Sequence, residues 1–189
     1  MTTTAPIRAY MAGPWVFRPP SEIAVFKDLV LGMCKEKFQG AILPLFPMDP
    51  IINGDRPPLV MDISDPQKIA AHCRRHIKSC DVIVADVTPF RGVQPDPGTV
   101  LEIGIAHCAG KRIVLYTDGP VLPLRERLIA AGWMKAGDER DIAGSFVEDF
   151  GRPVDTMLSA YPYFESVTEA LAFEWGCRDI PDPDENGPL

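Results

Sequence analysis

The densest chemistry in the chain lies in Asp86-Val-Thr-Pro-Phe-Arg-Gly-Val-Gln-Pro-Asp96-Pro-Gly-Thr-Val-Leu-Glu102. Its three carboxylates follow Asp81-Val-Ile-Val-Ala85, an apolar run that predicts a central parallel strand. Gly98 and Thr99 open a helix running to about Cys108, with Asp96 just before it and Glu102 in its first turn or so. The positive end of a helix dipole favours ionised carboxylates there. An ionised carboxylate at a strand end can attack an electrophilic carbon, or accept hydrogen bonds from sugar hydroxyls. Asp and Glu also serve as ordinary caps and dipole partners at helix starts, and the segment alone leaves both readings open.

Two further groups could carry chemistry. Tyr10-Met-Ala-Gly13-Pro14 ends a first strand, and a glycine there lets backbone approach a ligand closely. It matches neither the phosphate-binding loop nor the dinucleotide-binding glycine pattern. Trp15 and Phe17 follow, able to stack on a base or simply to pack. His72 and His76 stand four apart on a helix, a spacing that suits two zinc ligands. No third ligand motif accompanies them and Arg74 and Arg75 lie between, so a solvated polar face is expected and no metal.

These residues need elements to hold them. Ile7–Met11 reads as a strand, and Ser21 as the cap of a helix reaching Phe38, stopped by Gly40. Ala41–Leu45 reads as a second strand, placed at an edge by Pro44. Phe46–Ser64 is a long proline-rich loop, of a length uncommon in compact domains unless it has a task. Asp65-Pro66 starts a helix with Ile69, Ala70, Cys73 and Ile77 on one face. Arg112–Tyr116 is a strand, Leu124–Ala131 a helix, Val154–Ser159 a short helix, Tyr161–Phe164 a last strand and Val167–Trp175 a last helix. Trp133–Gly151 follows no pattern. Alternating strands and helices imply a doubly wound parallel sheet with helices on both faces. Ligands in such folds bind beyond the carboxyl ends of the strands, which singles out residues 12–20, 46–64 and 86–98.

Composition narrows the function. The 189 residues suit one domain, expected over 1–180, with an acidic, flexible tail over 181–189. A formal charge of −7 disfavours nucleic acid and anionic membranes as partners. No apolar run approaches the ~20 residues of a membrane helix, and no signal-peptide pattern opens the chain. Five cysteines with no C-x-x-C argue against a disulfide framework, and a cytoplasmic location is expected.

Three segments, in this order, resemble the nucleoside 2-deoxyribosyltransferase family: Tyr10-Met-Ala-Gly-Pro-Trp-Val-Phe17, Cys80-Asp-Val-Ile-Val-Ala-Asp-Val-Thr-Pro-Phe-Arg-Gly92 and Asp96-Pro-Gly-Thr-Val-Leu-Glu-Ile-Gly104. Phe150-Gly-Arg-Pro-Val-Asp-Thr-Met-Leu158 is similar to a fourth family segment, so the likeness spans roughly residues 7–175. The resemblance implies a flavodoxin-like α/β fold with a five-stranded sheet, and exchange of one nucleobase for another on 2-deoxyribose. It implies Glu102 as the nucleophile, Tyr10 orienting its carboxylate, and Asp96 holding the sugar 5′-hydroxyl. Substrate contacts are expected from Gly13, Pro14, Asp86, Phe90, Arg91 and Gly98. The partners implied are a deoxynucleoside and a free base, with no cofactor, in a homo-oligomer with shared sites. Three features depart from the family pattern: Cys73 stands where a polar residue often serves the base, Asp155 where an Asn reaches a neighbouring subunit's sugar, and Phe46–Ser64 is a long proline-rich loop, either a lid over the base or a decorated edge. Two rivals remain. A hydrolase of deoxynucleoside 5′-monophosphates would need neutral donors around the phosphate, and Asp96 would repel that dianion unless Arg91 offset it. A non-catalytic nucleotide sensor would not need Glu102 and Tyr10 together.

Overall fold

The computed structural model describes residues 5–53, 56–59, 62 and 64–177. The tail expected over 181–189 lies outside them. The chain order is β1 (Ile7–Ala12), α1 (Pro20–Glu36), β2 (Ile42–Leu45), β3 (Ile51–Asn53), β4 (Arg56–Leu59), α2 (Pro66–Ser79), β5 (Val82–Asp86), α3 (Pro97–Cys108), β6 (Arg112–Tyr116), α4 (Leu124–Ala130), β7 (Tyr163–Phe164) and α5 (Val167–Cys177). Short 3-10 turns stand at Pro14–Phe17 and Leu158–Ala160.

Five strands form one parallel sheet in the order β2-β1-β5-β6-β7, with β5 in the centre. This is the doubly wound flavodoxin-like order, as expected. Pro44 does lie in an edge strand. Side chains alternate across each strand, and that alternation builds two cores. Ala9, Met11, Val82, Val84, Val114 and Tyr116 face Phe26, Val30 and Cys34 of α1 and Ala170 and Leu171 of α5. Tyr10, Ala12, Ile83, Ala85, Ile113 and Leu115 face Ile77 of α2 and Ile103 and Ala106 of α3. The chain turns opposite ways from β1 and β5, so their carboxyl ends flank the crevice where such folds bind ligands.

Several local readings need correction. Phe46–Ser64 is not one irregular loop, because β3 and β4 pair antiparallel within it as a separate two-stranded sheet. The hairpin signal in the sequence is the dipeptide Gly54-Asp55 between the two runs, outweighed by the prolines around it. α1 starts one residue before Ser21, which is not its cap. Pro19 and Pro20 set its first turn instead, and a proline at the first position leaves no orphan N–H there. The short helix expected at Val154–Ser159 is a 3-10 turn at Leu158–Ala160. The patternless Trp133–Gly151 carries the isolated bridges Met134–Asp141 and Arg140–Phe146. Among the described residues no helix is long and apolar enough to cross a membrane.

Candidate active site

The start of α3 follows from its first residues. Asp96 is the cap, its Oδ2 accepting from Thr99 N at 2.9 Å and Thr99 Oγ1 at 3.0 Å. Pro97 opens the first turn. A Cβ on Gly98 would stand 2.9 Å from Asp96 Oδ2, so glycine leaves room for the capping carboxylate. Glu102 falls in the second turn, later than the first turn expected from the sequence. It points inward toward β1, where residue parity turns Tyr10 to the α2–α3 face of the sheet. Tyr10 Oη donates to Glu102 Oε1 at 2.7 Å across 92 residues of chain.

Glu102, Asp96, Gly98 and Thr99 line a cavity of about 190 Å³, with Tyr10 buried behind Glu102. Glu102, Asp96, Thr99 and Cys73 are its polar members. Val16, Phe17, Pro47, Met48 and Ile69 make apolar walls, and Gly13 and Gly98 bring backbone to its edge. A larger groove of about 370 Å³ runs along α1 past Val25, Phe26 and Leu29, but its only charged member is Glu22. The polar groups that could do chemistry thus gather in the cavity at Glu102 rather than in this groove.

Burial raises the Glu102 carboxyl from its ordinary 4.5 to about 7, and the Asp96 charge adds to the rise. Hydrogen bonds from Tyr10 and Cys73 oppose it. The Tyr10 phenol is pushed well up by burial and then by Glu102, so it remains a donor. The Cys73 thiol is pushed up to about 11, by burial first and the Glu102 charge second. The floor of the cavity is thus a carboxylate held by two neutral donors, able to titrate near neutrality. Its anionic form can stabilise a cationic, oxocarbenium-like carbon at short range.

Of the residues expected in the site, Glu102, Tyr10, Asp96, Gly13 and Gly98 come together here. Pro14, Asp86 and Phe90 do not line this cavity; they line a separate cleft of about 30 Å³ with Arg18, Thr88 and Asp118. The cause for Asp86 is parity. It shares the phase of Val82 and Val84, which face α1 and α5, opposite to Glu102. Its carboxylate accepts from Thr88 N at 2.9 Å and Thr88 Oγ1 at 2.5 Å, which shapes the loop after β5. Burial raises its pKa, opposed by the Thr88 bonds. Gly13 touches both regions, since a Cβ there would stand 2.8 Å from Asp86 Cβ.

Arg91 takes a left-handed backbone, φ 52°, and lays its guanidinium over Phe17 at 5.0 Å and Phe90 at 4.6 Å. Phe17 and Phe90 stack at 5.4 Å, which ties the loop after β5 to a cavity wall. Asp155 lies outside the cavity lining and accepts from Leu158 N at 3.0 Å, ordering its own turn.

The histidine pair corrects a reading. His72 and His76 are not on a solvated face; each is 3% exposed. Both Nε2 atoms meet the Asp49 carbonyl oxygen, at 2.9 and 2.8 Å. Among the described residues no group of three His, Cys, Asp or Glu is placed to hold a metal ion. Sequence reasoning did not name Thr99, Pro47, Met48 or Arg127 as site residues, although Pro47 and Met48 fall in the loop 46–64 that it marked for ligand binding. Arg127 donates to Val93 O at 2.9 Å and Leu122 O at 2.5 Å and so pins the loop after β5. Only Thr99 had a local signal, its spacing of three from a capping aspartate.

A family model described as nucleoside 2-deoxyribosyltransferase matches residues 9–157. Among solved structures, a 2-deoxyribosyltransferase from Leishmania mexicana is 29% identical, with a TM-score of 0.67 over 92% of this chain and 99% of that one. A conserved protein from Enterococcus faecalis V583 is 18% identical, with a TM-score of 0.55 over 92% and 99%, a likeness of fold alone. A CMP N-glycosidase from Clostridium botulinum aligns over 58% of this chain and 68% of that one, at 21% identity and a TM-score of 0.33. No curated protein matches the sequence.

Proposed function

The chain belongs to the nucleoside 2-deoxyribosyltransferase family, and from that premise we propose that it moves a 2-deoxyribosyl group between nucleobases through a covalent Glu102 ester. In the first half-reaction a Glu102 oxygen bonds the anomeric carbon and the C–N glycosidic bond breaks. The electron pair of that bond leaves with the base, whose nitrogen takes up a proton. In the second, a nitrogen of the incoming base bonds the same carbon, losing its proton, and the ester C–O bond breaks to return the carboxylate. Two inversions give net retention, as in a retaining glycosidase with a base in place of water.

The observation that carries this reading is the Tyr10–Glu102 bond of 2.7 Å at the floor of a largely apolar cavity. The phenol anchors Glu102 Oε1 and orients the carboxylate for attack, with the Cys73 thiol as a second neutral donor. Asp96 has an oxygen, Oδ1, beyond the one used in capping, suited to accept from the sugar 5′-hydroxyl. Gly13 and Gly98 admit the sugar close to backbone, and Phe17, braced by Phe90 and Arg91, suits a base as a stacking partner. Pro14 and Asp86 then support the substrate through the loops they shape. The working unit is the single domain over residues 1–180, acting in the cytoplasm as a homo-oligomer in which Asp155 reaches a neighbour's substrate. Exposed Phe146, Phe150 and Met157, on the segment leading through Asp155, support that interface.

The test is base exchange. Purified protein is incubated with deoxyadenosine, deoxyinosine or thymidine and a second free base, and both nucleosides are followed by chromatography. A new deoxynucleoside that vanishes in Glu102→Ala is the expected result. Base release without exchange would replace transfer by hydrolysis, and the absence of turnover with any substrate would sink the proposal.

A further inference from the structure

Pro47 and Met48, from the tight turn Phe46–Asp49, form part of the wall of the cavity that holds Glu102. Asp49 N donates to Phe46 O at 3.0 Å, and Asp49 Oδ2 accepts from Phe46 N at 3.1 Å. The other Asp49 carboxylate oxygen pairs with Lys27 of α1. The Asp49 carbonyl takes both imidazoles of α2, His76 Nε2 at 2.8 Å and His72 Nε2 at 2.9 Å. A carbonyl oxygen only accepts, so both rings carry their hydrogen on Nε2. The two rings meet edge to face at 4.9 Å, and His76 stacks on the Tyr10 ring at 6.0 Å. One helix therefore presents Cys73 and Ile69 to the cavity and, through two buried histidines, fixes the turn that closes it. Spending two buried imidazoles on one carbonyl is more than chain continuity requires.

We propose that His72 and His76 are positioning residues for the transfer reaction, clamping the Asp49 carbonyl so that Pro47 and Met48 hold the nucleoside against Glu102. This rests on the transferase reading above. Neither histidine lines the cavity, so both act through the turn. A wall that touches substrate in the ground state and the transition state alike affects KM more than kcat. A loosened wall also admits water to the glycosyl ester and raises the share of hydrolysis over transfer.

The experiment compares the double variant His72→Leu/His76→Leu, which removes both donors, with His72→Gln/His76→Gln, which returns an N–H at the reach of Nε2. In folded protein the leucine pair is expected to raise the deoxynucleoside KM about tenfold, the loss expected for buried donors. Its kcat should stay within about threefold and its hydrolysis share should rise, with the glutamine pair restoring both. Met48→Ala, on the wall itself, should raise KM in the same direction, and decides the matter if the leucine pair does not fold. An unchanged KM in the folded leucine pair, a glutamine pair as impaired as the leucine pair, or an unchanged KM in Met48→Ala would each overturn the clamp. Calorimetric titration of deoxyadenosine into Glu102→Ala, with and without the histidine substitutions, separates the two proposals. If the native enzyme does not turn over but clamp-dependent binding persists, the transferase reading falls and the clamp stands. If deoxyadenosine does not bind, both fall.

Discussion

Replacing the Glu102 carboxylate by an amide should abolish transfer and stabilise the fold, and the gain should depend on pH in a defined direction. Burial raises the Glu102 carboxyl from 4.5 to about 7. Between those values the native state binds more proton than the unfolded chain, so stability falls as pH rises through the window. The deficit is complete above the native pKa and amounts to on the order of 3 kcal/mol. Glu102 borders an open cavity, and water there screens part of the cost, so about 1–3 kcal/mol is expected. The side-chain amide of the Glu102→Gln variant matches the shape of the protonated acid and still accepts from Tyr10. It carries no charge to desolvate. At pH 8 the variant should therefore gain about 1–3 kcal/mol over the parent, several degrees in Tm for a chain of this size. At pH 5 the gain should shrink to under about 1 kcal/mol, because the native parent is then neutral at this position. Urea unfolding of both proteins at the two pH values, followed by circular dichroism, measures the difference. A variant less stable than the parent at pH 8, or one shifted equally at both pH values, refutes the reasoning.

The same carboxyl sets the rate profile: kcat/KM should rise with pH up to about 7 and level off above it, with pH 5 about 100-fold below the plateau. Tyr10→Phe removes a bond that holds the Glu102 pKa down, so its midpoint should move to higher pH while the plateau drops. Gly98→Ala puts a Cβ 2.9 Å from Asp96 Oδ2, and the displaced cap should cost roughly 1 kcal/mol in chemical unfolding, with a larger loss in kcat/KM. Gly13→Ala puts a Cβ 2.8 Å from Asp86 Cβ, a contact between two backbone-anchored groups that should cost about 1–3 kcal/mol in thermal unfolding.

Much of this protein is legible in its residues alone. The apolar run 82–85, the alternation of strands with amphipathic stretches, and the caps Asp65 and Asp96 are local signals, and each element they announce is present. The approach of Tyr10 to Glu102 came from likeness to a family, since no local rule links residues 92 positions apart. What only the tertiary structure decided depends on side-chain phase and on long-range partners. Asp86 ends β5 and Glu102 lies in the helix that follows it, yet strand parity sends Asp86 to the opposite face of the sheet. His72 and His76 read as a polar stripe because the carbonyl that satisfies them belongs to Asp49, more than twenty residues away. The Glu102 pKa near neutrality likewise has no local cause. Burial raises it, and the packing of β1 and α2 against α3 that buries it exists only in the folded chain.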